Sequence, residues 1–180
     1  SNLRIDAARF RRELLRSRGL VVGRLDARYT GTEEDDVGEV PSGDPMMPAI
    51  GGAYTAMFED YLARELTVKM DRSYEVMSGR ANAMWKRSAE TSHAFAGWLD
   101  VMPALIRAQA DNPHLRLFIG SGRYDMATTF FTAEYQANRH GIDRARTTVR
   151  DYPSGHMIYL HEPSLERLAQ DLHAFVGGSK

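Results

Sequence analysis

Two β-prone runs in the last third of the chain limit its possible folds more than any other feature. "LRLFIGSG" starts at Leu115 and "RARTTVRDY" ends at Tyr152, with the helical stretch "TTFFTAEYQANRHG" between them. Upstream, "GWLDVMPALIRAQADNPH" predicts a helix with Leu99, Met102, Leu105, Ile106 and Ala110 on one side, ended by Asn-Pro. Downstream, "PSLERLAQDLHAFVGG" predicts a last helix with Pro163 near its first turn and Leu165, Leu168, Leu172 and Phe175 facing a core. The order helix, strand, helix, strand, helix reads as two parallel strands with crossover helices. Such strands are normally buried and paired on both sides, which makes the expected fold class α/β.

The first hundred residues are less regular. "IDAARFRRELLRSRG" predicts an amphipathic helix with Ala7, Phe10 and Leu14 on its apolar face, Asp6 as its cap and Gly19 at its end. "LVVGRLDARYTG" reads as a short β-prone run broken at Gly31, and "TEEDDVGEVPSGDPMMP" as a long acidic loop. From Ala49 to Leu66 a helical period places Tyr54, Met57, Phe58, Tyr61, Leu62 and Leu66 on an expected core face. Tyr74 to Met77 reads as a short strand and Trp85 as an anchoring aromatic.

Composition removes several function classes. The chain of 180 residues suits one domain, and its formal net charge of −1 with 26% charged residues gives no electrostatic footprint for nucleic acid. No run approaches the roughly 18 apolar residues of a membrane span. Without cysteine, disulfides, thiolate zinc sites and cysteine nucleophiles are excluded.

In open α/β sheets the working residues sit just beyond the carboxyl ends of the strands. There the first run delivers Asp125, in "GSGRYD", and the second delivers His156, in "PSGH". An acid after one strand and a histidine after the next is the order of the last two members of a Ser, acid, His triad. In such a triad the carboxylate fixes the histidine tautomer and stabilises the imidazolium formed when the base takes the serine proton.

"NPHLRLFIGSGRYD", "GRYDMATTFFTAEY", "YPSGHMIYL" and "SLERLAQDLHAFV", with "VGRLDARYTG", Asp44-Pro45, Tyr74 and Trp85 earlier, resemble the serine carboxypeptidase family in its bacterial form. The resemblance implies the C-terminal part of an α/β-hydrolase fold: the last two parallel strands with flanking helices, preceded by a mostly helical lid or cap. It divides the chain into a junction over residues 1–23, a cap-like segment over 24–93 and a core portion over 94–180. It also implies a peptide substrate cut at its C-terminal bond, no cofactor, and an exported protein. Asp125 matches the triad acid and His156 the base, while Met157 matches a side chain that walls the subsite for the departing residue.

The nucleophile is the departure. The family's serine lies in Gly-x-Ser-x-Gly, and no such stretch occurs here; "IGSGR" and "YPSGH" have the wrong spacing. The expectation is therefore a C-terminal fragment, inactive alone, that self-associates or pairs with a missing N-terminal half. Another α/β-hydrolase, such as an aminopeptidase or esterase, or a non-catalytic binding module, are the alternatives. A dinucleotide site at Gly120 to Gly122 fails because Asp125 stands where the third glycine belongs. A metal site on His156, His161 and Glu162 fails on spacing, and the acidic run from Glu33 to Asp36 lacks the alternation of a calcium loop.

Overall fold

A computed structural model describes residues 6–33, 35, 37–72, 74–85 and 100–178. They fall into two compact units, one of residues 1–46 with 104–180 and one of residues 47–103.

The first unit opens with α1 (Ala7–Glu13), which Asp6 caps by accepting the Arg9 amide at 2.8 Å. Its expected burial is inverted. Phe10 and Leu14 are 40% and 53% exposed, while Arg11 and Arg12 are buried. The guanidinium groups account for this. Arg11 donates to the Val22 carbonyl at 2.9 Å and the Gly43 carbonyl at 3.2 Å, and Arg12 pairs with the buried Glu33 at 2.9 Å and with Asp35 at 2.9 Å. Gly19, in the left-handed region at φ 63°, turns the chain into β1 (Leu20–Val22). This strand pairs antiparallel with β2 (Thr30–Thr32), Val21 opposite Gly31. The connecting residues, Gly23 to Tyr29, form a loop whose start is held by Asp44, which accepts the Arg24 and Leu25 amides at 3.1 and 3.0 Å.

The rest of the unit is the helix and strand alternation expected from the sequence. α4 (Met102–Asp111) leads to β3 (Leu117–Gly122), then α5 (Phe130–Ala137), β4 (Thr147–Tyr152) and α6 (Glu162–Gly177). β3 and β4 are parallel and in register from Leu117 opposite Thr147 to Gly122 opposite Tyr152. The side chain of Arg146 closes the end of α4 by donating to the carbonyls of Gln109, Asn112 and Leu115 at 3.0, 2.8 and 3.2 Å. Tyr152 is fully buried and donates its hydroxyl to Asp171 at 2.9 Å, which ties β4 to α6. Burial and the neighbouring Asp171 carboxylate push the Tyr152 phenol well above its ordinary value near 10.

The chain is thus a mixed α/β protein with a small parallel sheet. Pairing on both sides of each strand does not occur: among the described residues β3 and β4 pair only with each other. Leu117, Phe118, Ile119 and Val149 are consequently half-buried. On α6, Leu168 and Phe175 are half-buried but Leu165 and Leu172 are exposed. Leu99, expected at the start of the helix that becomes α4, lies outside the described residues.

The second unit contains most of α2 (Met46–Asp60), a π-helical turn at Tyr61–Glu65, and α3 (Gly79–Met84). The expected core face of α2 is mostly open: Tyr54, Met57, Phe58 and Tyr61 are exposed, as is Leu66 beyond the turn, and only Leu62 is half-buried. Its helical period is real, but the described residues supply little to cover it. No strand forms over Tyr74 to Met77; Tyr74 instead packs its ring 5.0 Å from that of Phe58. Trp85, expected as an anchor, is 78% exposed among the described residues.

Candidate active site

The loops after β3 and β4 start from glycine and small residues that let two backbones close on each other. The amide of Arg123 donates to the Tyr152 carbonyl at 2.9 Å and that of Tyr124 to the Ser154 carbonyl at 3.0 Å, so pairing continues past the sheet. A Cβ on Gly122 would overlap the Gly155 carbonyl. Glycine is therefore required there by proximity, not by backbone angle. Ser154 is buried and donates its hydroxyl to the Ile158 carbonyl at 3.2 Å, which pins the turn before His156.

These loops bring the two expected site residues together across 31 positions of sequence: His156 Nδ1 lies 2.8 Å from Asp125 Oδ2. Asp125 is 4% exposed, and every close donor points at its carboxylate. Oδ1 accepts the Ala127 and Thr128 amides at 2.7 and 2.9 Å, and Oδ2 accepts the Thr128 hydroxyl at 2.6 Å. Burial by itself pushes this carboxyl up. The Thr128 hydroxyl and amide, His156 and the Ala127 amide together outweigh it and hold the group below its ordinary value near 3.8. An ionised, fully hydrogen-bonded carboxylate on Nδ1 selects the tautomer with its proton on that nitrogen and leaves Nε2 as the basic one. Among the described residues none hydrogen-bonds to Nε2, and the His156 side chain is 42% exposed.

Thr128 escaped the sequence reading. Its hydroxyl sits 2.6 Å from Asp125 and 3.3 Å from His156 Nδ1, touching both members of the pair. The available signal was a threonine three residues after the acid, the spacing at which an aspartate carboxylate receives the following backbone amides.

The segment from Arg24 to Arg28, expected to belong to the cap, lies against both loops. The Ala27 amide donates to the Tyr124 carbonyl at 2.9 Å, the Met126 amide to the Arg24 carbonyl at 3.0 Å, and the His156 amide to the Leu25 carbonyl at 2.7 Å.

Beside the pair is an open cavity of about 330 Å³, lined by Ile119 and Ser121 from β3, Thr129, Thr132 and Gln136 from the α5 side, and His156 with Ile158. Met157, expected to wall a subsite, is half-buried, and its neighbour Ile158 lines this cavity. Among the described residues no cluster of histidine, aspartate and glutamate could hold a metal ion. His161 instead hydrogen-bonds to Ser164 at 2.7 Å, and Glu33 and Asp35 are taken by Arg12. No described helix is long and apolar enough to cross a membrane. Comparison with known protein families, with characterised proteins and with solved structures finds no match.

Proposed function

We propose that Asp125 and His156 are the acid and base of a serine-type hydrolase, with a peptide as substrate and C-terminal residues as the leaving group. The observation that carries this reading is the 2.8 Å contact of His156 Nδ1 with a buried carboxylate at adjacent ends of two parallel strands. In this reading the chain is the C-terminal part of an α/β-hydrolase fold with a helical cap segment, and it contributes two thirds of a triad. The serine comes from a segment outside these 180 residues, since the sequence has no Gly-x-Ser-x-Gly.

Each group then has a defined task. The serine oxygen attacks the peptide carbonyl carbon while His156 Nε2 accepts the hydroxyl proton. Asp125 holds the ring and offsets the charge of the imidazolium. The same proton passes to the departing amine as the carbon–nitrogen bond breaks, leaving an ester on the serine. Water attacks that ester with His156 again as base, releasing the shortened peptide and restoring the serine.

The 180-residue chain alone is expected to give no turnover of a blocked dipeptide above that of its His156→Ala variant. Extended by the upstream residues that supply the serine, it is expected to hydrolyse the dipeptide, with a loss of about 10⁶-fold on His156→Ala. Turnover by the isolated chain that depends on His156 would overturn the assignment of the nucleophile to another segment.

A further inference from the structure

We propose that Asp26 and Arg28 form a positioning clamp for the Asp125 and His156 pair, a role that rests on reading that pair as acid and base. Arg28 is a side chain that touches both of the loops involved. Its guanidinium stacks 4.9 Å from the centre of the Tyr124 ring, next to Asp125 in sequence, and its Nη1 donates to the Pro153 carbonyl at 3.2 Å, three residues before His156. The remaining nitrogens grip Asp26: Nε lies 3.0 Å from Oδ1 and Nη2 lies 2.6 Å from Oδ2. Asp26 also accepts the Arg28 amide at 2.9 Å and is itself 2% exposed.

A carboxylate so deeply buried is costly to desolvate unless its partner is well placed, and here Arg28 supplies that partner. The position of Asp26 shows what it contacts. A Cβ added to Gly155 would come within 2.5 Å of the Asp26 Cβ, which means that the turn before His156 rests directly on Asp26. One residue earlier the Leu25 carbonyl takes the His156 amide. The backbone of His156 is thus located by Leu25 and Asp26, that of Asp125 by the flanking contacts of Arg24 and Ala27 with Met126 and Tyr124, and Arg28 locks the two sets together. The side chains need only span the last 2.8 Å.

Arginine is required because three directions are served by one planar fork; a lysine nitrogen can serve Asp26 or Pro153 but lacks the plane that stacks on Tyr124. Loss of a merely stabilising contact would lower the melting temperature without altering the Asp125 to His156 bond in molecules that remain folded, whereas loss of a clamp alters that bond itself.

The test is nitrogen-15 NMR of the imidazole groups in the 180-residue chain, with the His156 signals assigned by their absence in His156→Gln. The wild type is expected to show a low-field Nδ1 proton and nitrogen shifts of the Nδ1-protonated tautomer. In Arg28→Lys the low-field proton is expected to be lost and the shifts to move to a mixture of tautomers, while the backbone amide spectrum stays dispersed. The double variant Asp26→Asn with Arg28→Gln, which leaves no buried charge unpaired, is expected to do the same. An unchanged Nδ1 signal in either folded variant would overturn the proposal, as would its absence from the wild type. If neither variant folds, the segment is needed for the fold itself and a positioning role is refuted. Lack of peptidase activity in the extended protein with these spectra as expected would count against the hydrolase reading alone.

Discussion

At the residue scale the account turns on Asp125. Its carboxylate gathers two amides, one hydroxyl and one imidazole, and stays ionised although buried. Asp125→Ala strands these donors and is expected to destabilise the chain by about 3 kcal/mol in urea melts. The same site sets a pH dependence. Because the folded-state value lies below the ordinary one near 3.8, this contribution is complete above the usual carboxylate range and is lost as pH falls through the folded value. The stability difference between wild type and Asp125→Asn should therefore hold from neutral pH to about 4 and shrink below it; a difference that stays constant in melts below pH about 4 would contradict the assignment. Asp125 and His156 were legible in the sequence because a strand end is a position that periodicity and glycine turns mark. Thr128 was less so, since nothing in a lone threonine signals a hydrogen bond to a residue 28 positions away.

At the element scale the sheet and its helices followed from alternation, and β4 begins at the first β-branched residue of its run, Thr147, and ends with that run at Tyr152. What the pattern could not supply was the identity of the covering partner. α1 has a sound apolar period yet docks through Arg11 and Arg12, because the carbonyls and carboxylates of the following hairpin and acidic loop lie against that side. Arg12→Met is accordingly expected to cost about 3–5 kcal/mol by removing the guanidinium that faces the buried Glu33 carboxylate, and Arg12→Met with Glu33→Leu to recover most of it. Equal losses in the single and double variants, read by chemical denaturation, would contradict this. Tyr152 offers a second check on the β4 to α6 junction. Its phenol is raised in the folded state, so its stabilising contribution is intact below the ordinary value near 10 and is lost as pH rises beyond it. Tyr152→Phe should lower stability by about 1 kcal/mol at neutral pH and delay alkaline unfolding, followed by circular dichroism. The place of the Arg24 to Arg28 segment was hidden for a different reason: its contacts with Tyr124, Pro153 and His156 are made about a hundred positions or more along the chain, beyond any local pattern.

At the scale of the whole molecule, a parallel pair of strands with no other neighbour among the described residues is an incomplete sheet. On the adjoining helices Phe131, Tyr135, Leu165 and Val176 are 44% to 68% exposed. A surface of this kind favours association, so light scattering at high micromolar concentration is expected to find dimers or larger species, which the serine-bearing segment proposed above should dissolve on addition. A strictly monomeric chain would contradict that expectation. The central claim, that Asp125 and His156 activate a serine lying elsewhere, is tested most directly by labelling the upstream-extended protein with a serine-directed fluorophosphonate and locating the adduct by mass spectrometry. The account predicts one adduct, on a serine outside residues 1–180, formed at least about 10⁴-fold more slowly in His156→Ala. No adduct, an adduct on a serine within these residues, or equal labelling in His156→Ala would contradict it.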